Sequence, residues 1–262
     1  MADLGVRAIF DAAAESIPPP LDWSSPITLA ALAASKPNEA TRLVLDVGCG
    51  AAQAYRGPTG LGLTVTVVLG DLSFGVLRHV RVPGSPLVQL DGMALPFAAG
   101  AFDRIICSLT LGFSSDPVAV LAEFARVLAD GGCAVVAELS RQRDPSLAFT
   151  QRLLAEELAN ARVPGRLRTP LPPLRRIAAP AGLAVTAIGE EFFSTEITSS
   201  DECCNWFYST HRTVLARLER DRVDRLRETI ASAAGDALSV GPLRSEQGVT
   251  LTVLESASGG PR

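Results

Sequence analysis

Seven apolar stretches of strand length, rich in β-branched residues, recur along the chain between turn residues. Several are apolar throughout instead of alternating, which is typical of strands covered on both faces in a parallel sheet. The predicted strands are residues 42–47, 64–69, 86–90, 103–109, 132–139, 183–192 and 249–256.

Segments of helical type separate these strands in the first half of the chain. Residues 24–35 begin with serines and Pro26, residues 73–80 follow the second strand, and residues 116–132 carry an apolar stripe that ends at two glycines. The alternation of strand and helix through residue 139 predicts a doubly wound sheet with right-handed crossovers.

Long helical segments delay the remaining strands after residue 140. They cover residues 146–163 and two helices between 199 and 234, and they suggest a lid built on the sheet instead of a separate domain. We therefore predict an α/β fold, a doubly wound, mostly parallel seven-stranded sheet with a helical lid insertion.

The composition, net charge and cysteine pattern of the chain argue against several classes of protein. Of 262 residues, 47% are hydrophobic and 20% charged, as in globular proteins. No apolar run is long enough to span a membrane, and the N-terminus does not resemble a signal peptide, so we expect a cytoplasmic protein. A net charge of −4 argues against nucleic acid as a partner. Five cysteines without a C-x-x-C pair predict neither disulfides nor a metal site.

The stretch "RLVLDVGCGAAQ" (42–53) carries the first candidate chemistry. A glycine-rich turn after a strand lets backbone N–H groups approach a ligand, and a following helix would add its positive end. Gln53 stands where a dinucleotide-binding G-x-G-x-x-G has its third glycine. Asp46, ahead of the turn, would repel a pyrophosphate but suits a ligand with an ammonium group.

Two further predicted strands end in acids. Asp71 lies at the end of the second strand, 21 residues after Gly50, where a carboxylate can accept both ribose hydroxyls of an adenosine. Asp91 closes the third strand and could pair with an adenine amino group. Each acid alone could simply cap a turn, but three acids at adjacent strand ends favour a cofactor site.

These segments together resemble the class I S-adenosylmethionine-dependent methyltransferases, in the small-molecule branch related to the ubiquinone and menaquinone methyltransferases. The resemblance rests on "VLDVGCG", "DLS", "DGMALPFAAGAFDRIICSLTL" and "EFARVLADGGCAVVAEL", and covers about residues 40–140. It implies a Rossmann-like methyltransferase fold with S-adenosyl-L-methionine as cofactor. "FDAAAESIPPPLDW" also resembles the N-terminal segment that folds over the cofactor in such enzymes.

The resemblance implies a role for ten residues in cofactor binding. The methionine half would be lined by Asp46, Gly48, Cys49 and Gly50, and the ribose and adenine would be held by Asp71 and Leu72. The adenine edge would be flanked by Asp91, Gly92 and Met93, and the amino-acid end would lie near Ser108. Ala52 is a departure, because many family members have a glycine there.

The same resemblance divides the chain into three parts. Residues 1–40 are expected to form an N-terminal helical cap segment and residues 41–140 the S-adenosylmethionine-binding core. Residues 141–262 would supply the C-terminal half of the sheet, with helical lid insertions around an acceptor pocket.

Candidate catalytic residues lie in the weakly matched region. His211, with Tyr208 beside it, could act as a general base, although a packed or solvated helix residue is the alternative. His79 is expected at the surface.

Five aromatic residues could line an acceptor pocket or form ordinary core: Phe192, Phe193, Trp206, Phe207 and Tyr208. Five arginines could receive an anionic acceptor or a carrier protein, or could simply be solvated: Arg162, Arg166, Arg168, Arg175 and Arg176.

The function predicted from the sequence is methyl transfer to a small organic acceptor, such as a bacterial secondary metabolite. One alternative is a methyltransferase fold that uses its cofactor structurally, as a cyclase or a binding module. A dinucleotide-dependent oxidoreductase is the other. The sequence leaves the acceptor atom, the catalytic base and the oligomeric state open.

Overall fold

All seven predicted strands form one sheet of order β3-β2-β1-β4-β5-β7-β6 in a computed structural model, which describes residues 4–16, 24–57, 65–163 and 170–257. β7 runs antiparallel to both of its neighbours, and the other pairs are parallel. The strands are β1 (Leu43–Val47), β2 (Thr66–Asp71), β3 (Leu87–Gln89), β4 (Phe102–Ser108), β5 (Leu128–Arg143), β6 (Leu183–Ile197) and β7 (Leu243–Ser256). The predicted fold is confirmed.

Helices cover both faces of the sheet and form the lid. In chain order they are α1 (Leu4–Ser16), α2 (Ser25–Ala34), α3 (Phe74–Leu77), α4 (Pro117–Val127), α5 (Ala148–Ala161), α6 (Leu174–Ala178), α7 (Ser200–Leu215) and α8 (Arg220–Leu238). No helix among the described residues is long and apolar enough to cross a membrane.

The apolar runs of the central strands are explained by burial on both faces. Val44 of β1 packs in a cluster with Ile27 of α2, whereas its neighbour Leu45 packs in another with Phe124 of α4. Successive strand residues point to opposite faces, so a strand between two helical layers needs apolar residues at every position.

A third apolar cluster joins α5, α7 and α8, which we call the lid. Trp206 and Phe207 of α7 are buried there against Leu154 of α5 and Ile230 of α8. This separate core gives the lid its own packing.

The structure corrects three predicted boundaries. The helix predicted over 116–132 ends at Val127, because β5 already begins at Leu128, which pairs with Phe102. The helix predicted over 73–80 is only Phe74–Leu77. The glycine turn leads into a short 3₁₀ helix, Gln53–Tyr55, within the described residues, instead of directly into an α-helix.

β6 and β7 extend beyond their predicted bounds and pair from Leu183–Ser256 to Ile197–Leu243. In the added part of β7, the buried positions are Leu243, Ser245, Gln247 and Gly248. Only one of these four is a large apolar residue, so the usual alternation of apolar and polar residues is absent.

Candidate functional site

A cleft of about 400 Å³ lies at the carboxyl ends of the parallel strands. The ends of β1, β2 and β4 and the turn after β3 form its floor, and α1 and α7 form parts of its walls. All ten residues proposed for the cofactor line this cleft: Asp46, Gly48, Cys49, Gly50, Asp71, Leu72, Asp91, Gly92, Met93 and Ser108. Ligands of open α/β sheets bind at this edge.

The glycine turn approaches the cleft with its backbone. Gly48 has a φ of +78°, and a Cβ there would overlap the side chain of Thr110. Its backbone N–H and that of Cys49 donate to the Gly70 carbonyl, at 2.8 and 3.0 Å. Because the conformation is left-handed and the neighbouring space is filled, only glycine suits position 48.

Ala52 continues the turn in a conformation that ordinarily favours glycine. Its φ and ψ are 51° and 35°, its side chain is buried, and its N–H donates to the Cys49 carbonyl at 3.0 Å. A left-handed alanine costs about 1 kcal/mol. Alanine at position 52, where many family members have glycine, therefore still forms the turn, at a small cost in the free energy of folding.

Asp46 is a buried acid on the floor of the cleft. Burial raises its pKa to about 7, the charge of Asp71 adds to the rise, and Tyr55 offsets part of it. The Tyr55 hydroxyl lies near enough to the Asp46 carboxyl to oppose this rise, but neither it nor Asp46 Oδ1 makes a hydrogen bond of normal geometry, and the Ser108 hydroxyl also has no partner within the described part of the chain. Buried polar atoms are normally paired, so Asp46 Oδ1 and the Ser108 hydroxyl suit a ligand that brings hydrogen-bond donors, such as an ammonium group.

Asp71 closes β2 and supports the glycine turn. Its two carboxylate oxygens accept the backbone N–H groups of Gly50, at 3.0 Å, and Ser73, at 2.9 Å. Burial raises its pKa, and these two hydrogen bonds oppose the rise. Asp91, after β3, accepts the N–H of Met93 at 3.0 Å, which fixes the turn that was predicted to flank the adenine edge.

Helix α7 faces the cleft with residues 209–213. Its start is fixed by a capping box, in which the Ser199 hydroxyl accepts the Glu202 N–H at 3.2 Å and Glu202 Oε2 accepts the Thr198 N–H at 2.7 Å. A fixed start determines which turn of the helix reaches the cleft.

His211 is one of the α7 residues at the cleft. Its Nδ1 lies 3.0 Å from the Phe207 carbonyl, which can only accept, so Nδ1 carries the proton of the neutral ring. Nε2 then holds the lone pair, 3.2 Å from the side-chain nitrogen of Gln151. Burial lowers the pKa of His211, so at neutral pH it is an uncharged ring that can accept a proton.

Tyr208 is a correction. It does not line the cleft; its hydroxyl donates to the Val223 carbonyl at 2.7 Å, and its ring lies under the guanidinium of Arg227. Burial also raises its pKa. A phenol held this way between α7 and α8 is part of the lid core and is not positioned for catalysis.

The other candidates of the weakly matched region also lie away from the cleft. Trp206 and Phe207 are buried in the lid, Phe193 packs on the sheet, and Phe192 is 65% exposed, so none of the five aromatic residues forms the cleft wall. His79 is exposed, as expected. Arg175 and Arg176 are exposed on α6, and Arg162 ends α5. Arg166 and Arg168 lie outside the described residues.

Several cleft residues were not predicted from the sequence, most notably Tyr55, Ser209 and Arg212. Arg212 is one of 23 arginines, and nothing in its local sequence distinguishes it from the solvated ones. Its neighbour His211 was singled out because the chain has two histidines and because this one lies beside aromatic residues in the helical insertion expected to face the acceptor pocket.

The N-terminal helix α1 forms one wall of the cleft through Val6 and Phe10. The Phe10 ring meets Phe113 edge to face, with centroids 5.2 Å apart. Asp11 Oδ1 accepts both the Ser73 hydroxyl and the Gly75 N–H, which ties α1 to the start of α3.

No group of three or more histidine, cysteine, aspartate or glutamate side chains in the described ranges is arranged to hold a metal ion. None of the five cysteines, all of which lie in the described ranges, forms a disulfide bond. Burial raises the pKa of Cys49 well above its ordinary value, with the charges of Asp71 and Asp46 adding to the rise. The Cys49 thiol is therefore a neutral part of the cleft wall.

Comparisons with known proteins agree with this geometry. Residues 45–136 match the family described as "Methyltransferase domain". The demethylmenaquinone methyltransferase of Renibacterium salmoninarum is 37% identical over 99 residues, which are 37% of this chain and 41% of that protein. The malonyl-[acyl-carrier protein] O-methyltransferase of Legionella pneumophila is 34% identical over 99 residues, 36% of this chain and 35% of that protein. The chain thus spans less than half the length of these relatives.

One solved structure extends the likeness to most of the chain. Phosphoethanolamine N-methyltransferase 2 of Haemonchus contortus, in complex with S-adenosyl-L-methionine, has a TM-score of 0.51 and 17% sequence identity. The alignment covers 96% of this chain and 57% of that one. At this identity the likeness concerns the fold.

Proposed function

From a core, residues 45–136, that belongs to the methyltransferase domain family, we propose that this protein transfers the methyl group of S-adenosylmethionine to a small organic acceptor. The family match over residues 45–136 bears out the predicted resemblance to class I methyltransferases and supports S-adenosylmethionine as the cofactor. The reaction and the acceptor are the proposal.

The convergence of the ten cofactor residues on one cleft carries the proposal. They come from four separate strand ends, yet all line the same space. The unpartnered oxygens of Asp46 and Ser108 there suit the methionine half of the cofactor. Asp71 and Leu72 stand beside them for the ribose and adenine.

The protein's own contribution to methyl transfer would be placement and proton removal. When bound, the cofactor supplies a methyl group already activated by its positive sulfur. The acceptor has only to be held in line with that group, and placement can account for much of the rate. His211 Nε2, which in this structure faces the side-chain nitrogen of Gln151, would take the proton that an acceptor hydroxyl or acidic carbon releases once the acceptor displaces Gln151.

The size of the cleft supports a small-molecule site. About 400 Å³ falls within the range of roughly 300–1,000 Å³ typical of small-molecule sites, and the lid covers one side of it. The named relatives act on a demethylmenaquinone and on a malonyl-carrier protein. An acceptor from secondary metabolism and a cytoplasmic location remain predictions.

Transfer of an isotopically labelled methyl group tests the proposal. The protein is incubated with methyl-labelled S-adenosylmethionine and a panel of quinols, phenols, amines and carboxylic acids, and the products are analysed by mass spectrometry. We expect one acceptor class to gain the label. His211→Gln should lower kcat about a hundredfold or more while the Kd for the cofactor stays unchanged, and His79→Gln, at an exposed site outside the cleft, should change neither.

Two outcomes would contradict this proposal. An acceptor that rearranges without gaining the label, while the cofactor remains intact, would support the cyclase alternative. Binding of a nicotinamide dinucleotide in place of S-adenosylmethionine would support the oxidoreductase alternative.

A further inference from the structure

The charges around the cleft are unevenly distributed. Three acids, Asp46, Asp71 and Asp91, line it from the sheet side. Among the described residues that line the cleft, Arg212 of α7 is the one permanently cationic side chain, and it comes from the lid side. A ligand that fills this space therefore meets acids on one side and a single guanidinium on the other.

Arg212 faces the glycine turn without a close acidic partner. Its Nη2 lies 3.9 Å from the place that a Cβ on Gly50 would occupy. The charge of Asp71 acts on it, but the Asp71 oxygens are engaged by the Gly50 and Ser73 N–H groups, and the two side chains form no ion pair. Burial lowers the pKa of Arg212, so its charge is poorly solvated and would gain from an anion.

We infer that Arg212 binds the carboxylate at the methionine end of the cofactor. This inference rests on the proposed function and deepens it. The methionine end carries an ammonium group and a carboxylate on the same carbon. The unpartnered oxygens of Asp46 and Ser108 suit the ammonium group, and Arg212, across the Gly50 turn, is the cation left for the carboxylate.

The contact would also join two parts of the fold. The glycine turn belongs to the core sheet, whereas Arg212 belongs to α7, which packs on α5 and α8 in the lid. A carboxylate between them would hold α7 against the strand ends. The cofactor would thereby complete the wall of the acceptor site.

A comparison of two ligands tests the inference. S-adenosylhomocysteine carries the carboxylate, and decarboxylated S-adenosylhomocysteine keeps the amino group but lacks it. Isothermal titration calorimetry of Arg212→Met should show affinity for the first ligand reduced about 10- to 100-fold and affinity for the second unchanged. Arg212→Lys should restore part of the loss, and Arg225→Met, the same change at an exposed site on α8, should leave both affinities unchanged.

The results separate this inference from the proposed function. Equal affinity of wild-type protein and Arg212→Met for S-adenosylhomocysteine would overturn the inference and leave the guanidinium for an anionic acceptor. An equal loss for both ligands would overturn it too, since Arg212 would then only shape the cleft. Absence of S-adenosylhomocysteine binding by the wild-type protein would overturn the proposed function itself.

Discussion

Asp46 is the residue at which the needs of folding and of binding oppose each other. In the folded protein burial raises its pKa to about 7, above the ordinary value of 3.8 for aspartate. The folded state therefore holds this proton more tightly than the unfolded state does. Its contribution to stability is fully present below about pH 4 and is lost as the pH rises through 7.

Asp46→Asn should therefore stabilise the ligand-free protein at high pH. An amide cannot ionise, so at pH 8 the free energy of unfolding should exceed that of wild type by on the order of 2–4 kcal/mol. The difference should shrink towards zero near pH 4. Chemical denaturation at both pH values measures it, with Asp236→Asn, at an exposed site on α8, as the matched control. A wild-type protein more stable than the variant at pH 8 would refute this reading of Asp46.

The residues of the glycine turn were predictable because the motif is made of residues that follow one another closely in the sequence. Asp46, Gly48 and Gly50 follow one strand directly, and a strand end brings them to the cleft whatever the rest of the fold does. Arg212 was not predictable, because its position depends on how α7 packs on α5 and α8. Tyr208 was misread for the same reason: it lies three residues before His211, but its hydroxyl reaches the Val223 carbonyl and not the cleft.

Helix α1 is the element whose role is most open to direct test. Phe10 lines the cleft and contacts Phe113, so a cofactor should bury part of its ring. Phe10→Ala should weaken S-adenosylhomocysteine binding about tenfold, which corresponds to roughly 50–60 Å² of apolar contact. Titration calorimetry measures the change. Phe74→Ala removes a ring that is 59% exposed and outside the cleft, and should have no effect; equal losses in the two variants would contradict a cleft role for α1.

At the level of elements, the existence of each strand was predicted from the sequence more accurately than the residues at which the strand begins and ends. β1, β2 and β4 are flanked by helices on both faces, and their continuous apolar runs are easily recognised. The outer part of β7 places Ser245 and Gln247 at buried positions, which removes the signal of alternation. β6 is largely exposed along its length, so its residues need not be apolar.

The whole molecule combines a sheet, whose strand ends line the cleft, with a lid that is packed separately. The sheet core and the lid core are distinct apolar clusters, and the cleft lies where α7 meets the strand ends. The fold class followed from the order of strands and helices, because few topologies satisfy right-handed crossovers between parallel strands. The acceptor did not follow, because the side chains that would select it come from a lid whose arrangement depends on tertiary packing.

Titration of S-adenosylhomocysteine into wild-type protein and Asp46→Asn at pH 8 tests the central claim most directly. At this pH Asp46 is ionised in the wild type and can pair with the ligand's ammonium group. We expect wild-type protein to bind, and Asp46→Asn to bind about tenfold or more weakly although it unfolds at higher denaturant concentration. Equal affinities, or a wild-type protein that binds a nicotinamide dinucleotide and not S-adenosylhomocysteine, would contradict the claim.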